Sequence, residues 1–295
     1  MVEYPLLTVE KCNKSFFMNR QFTIDALKSV SFNIHRGEVI GIVGESGCGK
    51  STLARVIMGI YKLSSGAIYF KGDIISSPEG YARNKNEIQK KIQIILQDAT
   101  SSLNPNMTVS ELISEPFVIH KVYKNKHEQE SKVEELLLSV GLGIQYKSLY
   151  PSELSCGQCQ RVSIARSIAL EPELIIADEP VASLDVSIQA QIITLFQNLQ
   201  SQKKFSFIFI SHDLSIVRII SDRVAVMYGG RIVEMASTEK LFASPRHPYT
   251  QSLLSAIPVL DPLIERQKSK FIIDTNIIND NGEFMEVEKG HWVYC

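Results

Sequence analysis

Apolar and polar positions alternate at Val30, Phe32 and Ile34, with Ser31 and Asn33 between them, which is the period of a strand with one buried face. The residues upstream read likewise as strands and turns. Arg36-Gly37 turns the chain into a short apolar run, Val39, Ile40, Ile42 and Val43. Ala67 to Phe70 and Ile92 to Leu96 are further runs suited to strands, and the polar stretch between them reads most simply as a solvated connection. Turn-rich SSLNPNMT follows. Thr108 with Glu111 three residues on marks a capped helix start, as does Ser155 with Gln158. Val133, Leu136, Leu137 and Val140 share one helical face, and Gly141 stands where that helix should stop. Residues 98 to about 157 are therefore expected to be helical material inserted between strands. Leu174 to Ala177 and Phe207 to Ile210 predict two more strands, with a helix from Leu184-Asp185 to about Gln200 between them. Val224 to Met227, Gly229-Gly230 and Ile232-Val233 predict a hairpin with a two-residue turn.

The chain of 295 residues is long enough for one main domain with insertions and a C-terminal extension. Lys and Arg number 31 against 32 Asp and Glu, a net charge of −1, so no strongly basic face is expected and nucleic acid is not an expected partner. Five cysteines, an odd number spread from Cys12 to Cys295, do not form a disulfide framework and fit a reducing cytosol. MVEYPLLTVEK has no basic segment followed by a long apolar one, and no later stretch reaches about 18 apolar residues. The chain is expected to be soluble by itself and to meet a membrane only through a partner.

Chemistry concentrates at GESGCGKST, residues 44–52, which fits the phosphate-loop pattern without a mismatch. Gly44, Gly47 and Gly49 let the backbone curl so that N–H groups point inward, and a helix starting near Lys50 adds its positive end. Lys50 is expected to reach the β- and γ-phosphates and the Ser51 hydroxyl to ligate magnesium. Glu45, Ser46, Cys48 and Thr52 complete the loop. Asp178 and Glu179 end an apolar strand at the edge where parallel α/β sheets place their ligands. There Asp178 orients the magnesium shell and Glu179 polarises the attacking water. Gln97 is either a surface residue or one whose amide oxygen reaches the magnesium or the water. Phe16 and Phe17 either pack at a strand edge or form a platform for adenine. His212, in Ser211-His212-Asp213, is a loop residue or a ligand at the same edge.

Taken in order, GESGCGKS, Gln97, LSCGQ, IIADE, SLD at Ser183 to Asp185, and ISHD resemble the nucleotide-binding subunits of ABC transporters, over about residues 5 to 258. The resemblance implies an α/β fold: a P-loop NTPase, RecA-like ABC ATPase core with an antiparallel β portion, an inserted helical subdomain at about 98–157 and a small C-terminal extension. The core is expected at 5–235 and the extension at 236–295. It further implies ATP and Mg2+ as cofactors, Phe16 or its neighbour Phe17 stacking on adenine, and Ser51, Gln97 and Asp178 around the magnesium, the last through water. Glu179 is then the catalytic carboxylate, and His212 the switch at the γ-phosphate. Ser155, Cys156, Gly157 and Gln158 face the ATP of a second subunit, with Asp185 in the D-loop. QDATSSLNPNMTVSELISEP, GQCQR, DEPVASLDVSIQAQI and above all SPRHPYTQSLLSAIP are similar to the oligopeptide, dipeptide and nickel importer subgroup, nearest its OppF-type subunits.

The subgroup implies an ATPase that powers uptake of peptides or a related small solute, such as nickel or a metal chelate, from the cytoplasmic face of the membrane. Its partners would be transmembrane permease subunits, a second ATPase subunit in a heterodimer, and indirectly a solute-binding protein. Two departures stand out. Cys156 occupies a position where the family usually has glycine, and the tail lacks the cysteine cluster of many relatives. With no cysteine between Cys159 and Cys295, no iron-sulfur cluster is expected. The competing classes are a soluble, non-transport ABC ATPase and a regulatory ATP-binding module. No coiled-coil or basic insert supports the first, and the presence of Glu179 and His212 disfavours the second.

Overall fold

Leu7, Val9 and Cys12 on one strand and Val30, Phe32 and Ile34 on the next all bury their side chains, so two long strands share one apolar face. In the computed structural model, which describes residues 4–19, 22–82, 85–256 and 282–295, these strands are β1 (Leu7–Asn19) and β2 (Phe22–Ile34). They pair antiparallel with Leu7 opposite Ile34 and Val9 opposite Phe32. The chain divides into two compact units, Met1–Tyr81 with Phe209–Cys295, and Ala82–Ile208.

The first unit continues with β3 (Val39–Val43), whose five residues are all buried, and α1 (Lys50–Ile57), which packs Leu53, Ala54, Val56 and Ile57 inward. Next come β4 (Ser65–Phe70), β5 (Asp73–Ser77) and β6 (Gly80–Tyr81). They complete an antiparallel sheet in the order β2-β1-β4-β5-β6. The stretch expected to be a solvated connection after Phe70 is thus structured. It escaped the pattern because Ile74 is exposed while Ile75 and Ser76 are both buried, which breaks the strand period.

In the second unit α2 (Lys85–Lys91) buries only Ile88, and so carried no helical signal either. It is followed by β7 (Ile92–Ile95), α3 (Ala99–Ser102), α4 (Val109–Ile119) and α5 (Lys126–Ser139). After two short 3-10 turns come α6 (Cys156–Ile168), β8 (Leu174–Asp178) and α7 (Val186–Lys203). The cap at Thr108 forms both its bonds: Thr108 Oγ1 accepts from Glu111 N–H at 3.3 Å and Glu111 Oε2 accepts from Thr108 N–H at 2.7 Å. α5 stops at Val140, followed by Gly141 in the left-handed region, as its periodicity predicts. Val109, Leu112, Ile113 and Phe117 of α4 pack with Val133, Leu136 and Leu137 of α5 and the buried face of α6 into a helical core.

The division between the units falls within β9 (Ser206–Ile210). The first unit then resumes with α8 (Leu214–Ile220), β10 (Arg223–Tyr228), β11 (Arg231–Ser237), α9 (Thr238–Ala243) and α10 (Pro248–Ser255). A final hairpin, β12 (Phe284–Glu288) and β13 (His291–Tyr294), turns at Lys289-Gly290. β10 runs parallel to β3, and β10 and β11 make the expected hairpin about Gly229-Gly230. The strand order here is β12-β13-β11-β10-β3. Ile257 and Pro258, which end the SPRHPYTQSLLSAIP stretch, and the extension residues 259–281 lie outside the described residues. Among the described residues no helix is long and apolar enough to cross a membrane.

Candidate nucleotide site

The loop of residues 44–49 follows β3 directly and is shaped by its glycines. At Gly44, with φ +153, an added Cβ would sit 2.1 Å from the Met227 carbonyl oxygen, so β10 leaves no room for a side chain. Glu45, Ser46 and Gly47 are exposed, whereas Gly44, Cys48, Gly49 and Lys50 are buried, and Ser51 and Thr52 are half-buried in the first turn of α1. α1 begins at Lys50, and its N-cap, Gly49, puts no side chain on the first N–H groups. Those donors and the positive end of the helix are what an anion needs. Lys50, only 4% exposed, curls back so that Nζ donates to Gly44 O at 2.7 Å and Glu45 O at 2.9 Å. Its ammonium is thus held inside the loop, where incoming phosphate oxygens can replace the two carbonyls. Burial pushes the Cys48 thiol up, against the opposing pull of Lys50, whose Nζ lies 3.8 Å from Sγ. Glu45 departs from the expectation that the loop N–H groups turn inward: its N–H donates to Tyr249 Oη at 3.1 Å.

At the edge of the first unit's sheet, Ser211 N–H donates to Ile42 O at 3.1 Å. The Ser211–Asp213 turn therefore lies beside the end of β3, two residues before the loop. His212 is exposed there, while Asp213 caps α8 through Ser215 N–H and Ile216 N–H. Phe16 is half-buried, edge-on to Tyr61 at 5.2 Å between centroids and beneath Lys14 Nζ at 4.8 Å. Phe17 is 83% exposed, so it does not pack into a core.

In the second unit parallel register explains why Gln97 meets Glu179. Ile95 of β7 is paired with Ala177 of β8, which carries Gln97 and Glu179, each two residues further on, out of the same sheet edge. Gln97 Nε2 accordingly donates to Glu179 Oε2 at 3.2 Å. The other arm of that amide, its oxygen, is the one suited to a cation. Asp178 is buried, and Glu179, half-buried, holds φ at +49, a left-handed conformation that costs a non-glycine residue about 1 kcal/mol. Strain of this kind collects where a side chain must be aimed.

α6 starts with the second capping box: Ser155 Oγ accepts from Gln158 N–H at 3.3 Å, and Gln158 Oε1 accepts from Ser155 N–H at 2.8 Å. Gln158 Nε2 also donates to Tyr146 Oη at 3.1 Å. Gly157 permits a close approach, since a Cβ there would meet Ile188 Cγ2 at 2.8 Å. That contact puts the start of α7, with Asp185 at its cap, beside the start of α6. The exposed Asp185 makes no side-chain cap bond, so its carboxylate is not spent on its own helix. Cys156 is exposed and Cys159 buried, its thiol pushed up by burial. Arg161 ties the three helices together, donating to Val140 O at 2.6 Å and Gln191 Oε1 at 3.1 Å. The Ser51 hydroxyl of the first unit and, in the second, the Gln97 amide oxygen and the Asp178 carboxylate are each oxygen donors, the ligand type that magnesium prefers.

These features belong to a known class. The family described as ABC transporter matches residues 27–182, and the oligopeptide/dipeptide transporter, C-terminal region, matches residues 233–276. The oligopeptide transport ATP-binding protein OppF of Bacillus subtilis (strain 168) is 46% identical over 286 residues, covering 96% of this chain and 93% of the relative. OppF of Streptococcus mutans serotype c is 44% identical over 290 residues, covering 98% and 94%. Among solved structures, the ATP-binding cassette MJ0796, a dimer in a post-hydrolysis state bound to ADP and Pi, superposes with a TM-score of 0.70 at 28% identity. That match covers 79% of this chain and 98% of the cassette. The cbiO1 protein of Clostridium perfringens, part of the ABC transporter complex cbiONQ, gives a TM-score of 0.71 at 33% identity, covering 81% and 91%. The chain belongs to the ATP-binding subunits of ABC transporters, a family of ATP hydrolases. Within that family its likeness falls in the oligopeptide/dipeptide subgroup and, for these relatives, on OppF-type subunits.

Sequence reasoning missed Tyr249, which touches the loop, and Glu234, which anchors the helix carrying it. The first had a signal, since it is the tyrosine of the SPRHPY stretch. The second sits in a strand that reads as ordinary apolar alternation.

Proposed function

We propose that this chain powers the uptake of oligopeptides or dipeptides, or of a related small solute such as nickel or a metal chelate, through an ABC importer. It would sit at the cytoplasmic face of the membrane on transmembrane permease subunits, beside a second ATPase subunit, and be served by a solute-binding protein. The observation that carries this reading is the joint match, in one chain, of the ATPase core and the oligopeptide/dipeptide C-terminal region. The core domain is taken as 5–235, with its helical subdomain at about 98–157, and the extension as 236–295.

In the proposed mechanism Lys50 exchanges its two carbonyl partners for the β- and γ-phosphates, while N–H groups at the start of α1 bind the remaining phosphate oxygens. Phe16 stacks on adenine, and Ser46, Gly47, Cys48 and Thr52 line the polyphosphate path. Ser51, Gln97 and, through water, Asp178 would hold magnesium, which when bound would supply positive charge against the phosphate oxygens. Gln97 holds the Glu179 carboxylate in place, and Glu179 takes the proton of the water that attacks the γ-phosphorus. The bond from that phosphorus to the bridging oxygen breaks, leaving ADP and phosphate. His212 contacts the γ-phosphate and reports its presence. Ser155, Cys156, Gly157 and Gln158, with Asp185 beside them, close on the ATP of the second subunit. Each site would therefore be completed only in the dimer.

Purifying the chain with its permease and second ATPase subunit, in lipid, tests this reading. Hydrolysis should rise several-fold over that of the isolated chain, and again when a peptide-loaded binding protein is added. Full turnover by a monomer, verified by light scattering during the assay, would overturn it.

A further inference from the structure

The carbonyl and the N–H of a trans peptide point to opposite sides. In the Gly44–Glu45 peptide both are engaged. Its carbonyl oxygen, Gly44 O, accepts from Lys50 Nζ at 2.7 Å, and its N–H, on Glu45, donates to Tyr249 Oη at 3.1 Å. One peptide is thus clamped between the loop's lysine and a tyrosine 204 residues further along the chain.

Tyr249 is fixed on its own account. Its side chain is 2% exposed, its ring lies 4.4 Å from that of Tyr228 between centroids, and burial pushes its hydroxyl up so that it stays protonated. Its N–H donates to His247 Nδ1 at 3.1 Å, which caps α10. The start of α10 is in turn tied to Glu234 of β11, a carboxylate with no exposed surface. Glu234 accepts from Arg246 N–H at 2.8 Å and His247 N–H at 2.9 Å, and its Oε1 lies 2.7 Å from His291 Nε2 on β13. A buried carboxylate with this many partners holds its neighbours rigidly. The other side of the loop is held as well, by Gly230 N–H donating to Cys48 O at 3.0 Å.

The geometry points to Tyr249 as a positioning residue for nucleotide binding: its hydroxyl sets the direction of the Gly44–Glu45 peptide, and so the place where Lys50 waits for phosphate. This rests on the reading of residues 44–52 as a phosphate loop. Without the hydroxyl the peptide is free to turn, and the turn carries Gly44 O away from Lys50 Nζ, so the ammonium loses one of the two carbonyls that hold it where phosphate should meet it. Tyr249 and three of the residues that seat it, Glu234, Arg246 and His247, lie in the stretch matched as the oligopeptide/dipeptide C-terminal region, 233–276, while Tyr228 and His291 lie outside it. That region therefore acts on the grip on ATP.

Tyr249→Phe keeps the ring and removes only the hydroxyl. Thr250→Val is its control, because Thr250 Oγ1 is a buried hydroxyl on the same helix with no partner among the described residues. In the assembled transporter Tyr249→Phe should raise KM for MgATP about 2- to 12-fold, the loss of one ordinary hydrogen bond, while kcat stays within about 2-fold. The Kd of MgATP for the full chain should move with KM, and Thr250→Val should change neither. Lys50→Ala separates the two claims: wild-type affinity in that variant refutes the phosphate loop itself. If Lys50→Ala loses binding while Tyr249→Phe keeps the wild-type KM and Kd, only the role of Tyr249 is overturned. Equal shifts in Tyr249→Phe and Thr250→Val would also overturn it, as damage to the helix. Amide exchange supplies a measurement that does not depend on any variant folding. Without nucleotide the Glu45 N–H of the wild-type chain should be protected, and exchange at the rate of an open loop amide would refute the clamp.

Discussion

Replacing Glu179 with Gln isolates the proton-transfer step. Gln has the same length, and its amide oxygen can still accept from Gln97 Nε2, which donates to Glu179 at 3.2 Å. The left-handed backbone at +49° is as costly for Gln as for Glu, about 1 kcal/mol, so folding stability should be nearly unchanged. What disappears is the basic oxygen. A positioned general base contributes roughly 10²- to 10⁴-fold, or about 3–5.5 kcal/mol of barrier. Single-turnover phosphate release from the assembled transporter in excess over ATP measures chemistry apart from product release. The rate should fall by at least about 100-fold while the Kd of MgATP stays within about 3-fold of wild type. A variant that releases phosphate within about 3-fold of the wild-type rate would remove Glu179 from the proton transfer, whatever else it does.

Lys50→Ala should do the reverse of Glu179→Gln, weakening MgATP binding by at least about 10-fold in equilibrium dialysis, since charged hydrogen bonds contribute about 1.5–3 kcal/mol each. Exposed Cys156 should be alkylated by N-ethylmaleimide well before buried Cys159. In the assembled Glu179→Gln transporter ATP should slow that labelling, whereas equal labelling with and without ATP, read by mass spectrometry, would take Cys156 out of the nucleotide interface. Cys156→Gly should keep activity and lose sensitivity to the reagent. Burial holds the His247 imidazole below its ordinary value of 6.5, opposed by Glu234. The unfolded chain therefore binds this proton more readily, so the His247 contribution is complete above pH 6.5 and is lost as the pH falls below it. His247→Asn, which keeps a capping side chain, should flatten the fall of Tm with acidification, and an unchanged slope would assign that fall to other groups.

How much of this was readable beforehand depended on whether the cause was local. The glycine spacing of residues 44–49, the boxes at Thr108 and Ser155 and the stop at Gly141 are short-range chemistry, and each is found where the sequence puts it. The proximity of Gln97 and Glu179 needed strand register, which two apolar runs imply only once they are known to be parallel neighbours. β5 was hidden because its buried positions, Ile75 and Ser76, are adjacent rather than alternate, and α2 because it buries only Ile88. β12 and β13 carry a local signal, apolar and polar residues alternating into a turn at Lys289-Gly290. The clamp from Glu234 to Glu45 could not be read, since its links join residues up to 204 positions apart and a glutamate in an apolar strand looks solvent-facing.

Transport itself is the measurement that weighs heaviest. The chain, its permease, the second ATPase subunit and a binding protein are to be reconstituted in vesicles, with MgATP on the side carrying the ATPase subunits and a labelled oligopeptide on the other. Peptide should accumulate on the ATP side, stop with Glu179→Gln, and slow with Tyr249→Phe when MgATP is below the wild-type KM. ATP hydrolysis that proceeds in this complex while no peptide, nickel or chelate crosses the membrane would contradict the assignment as an importer subunit.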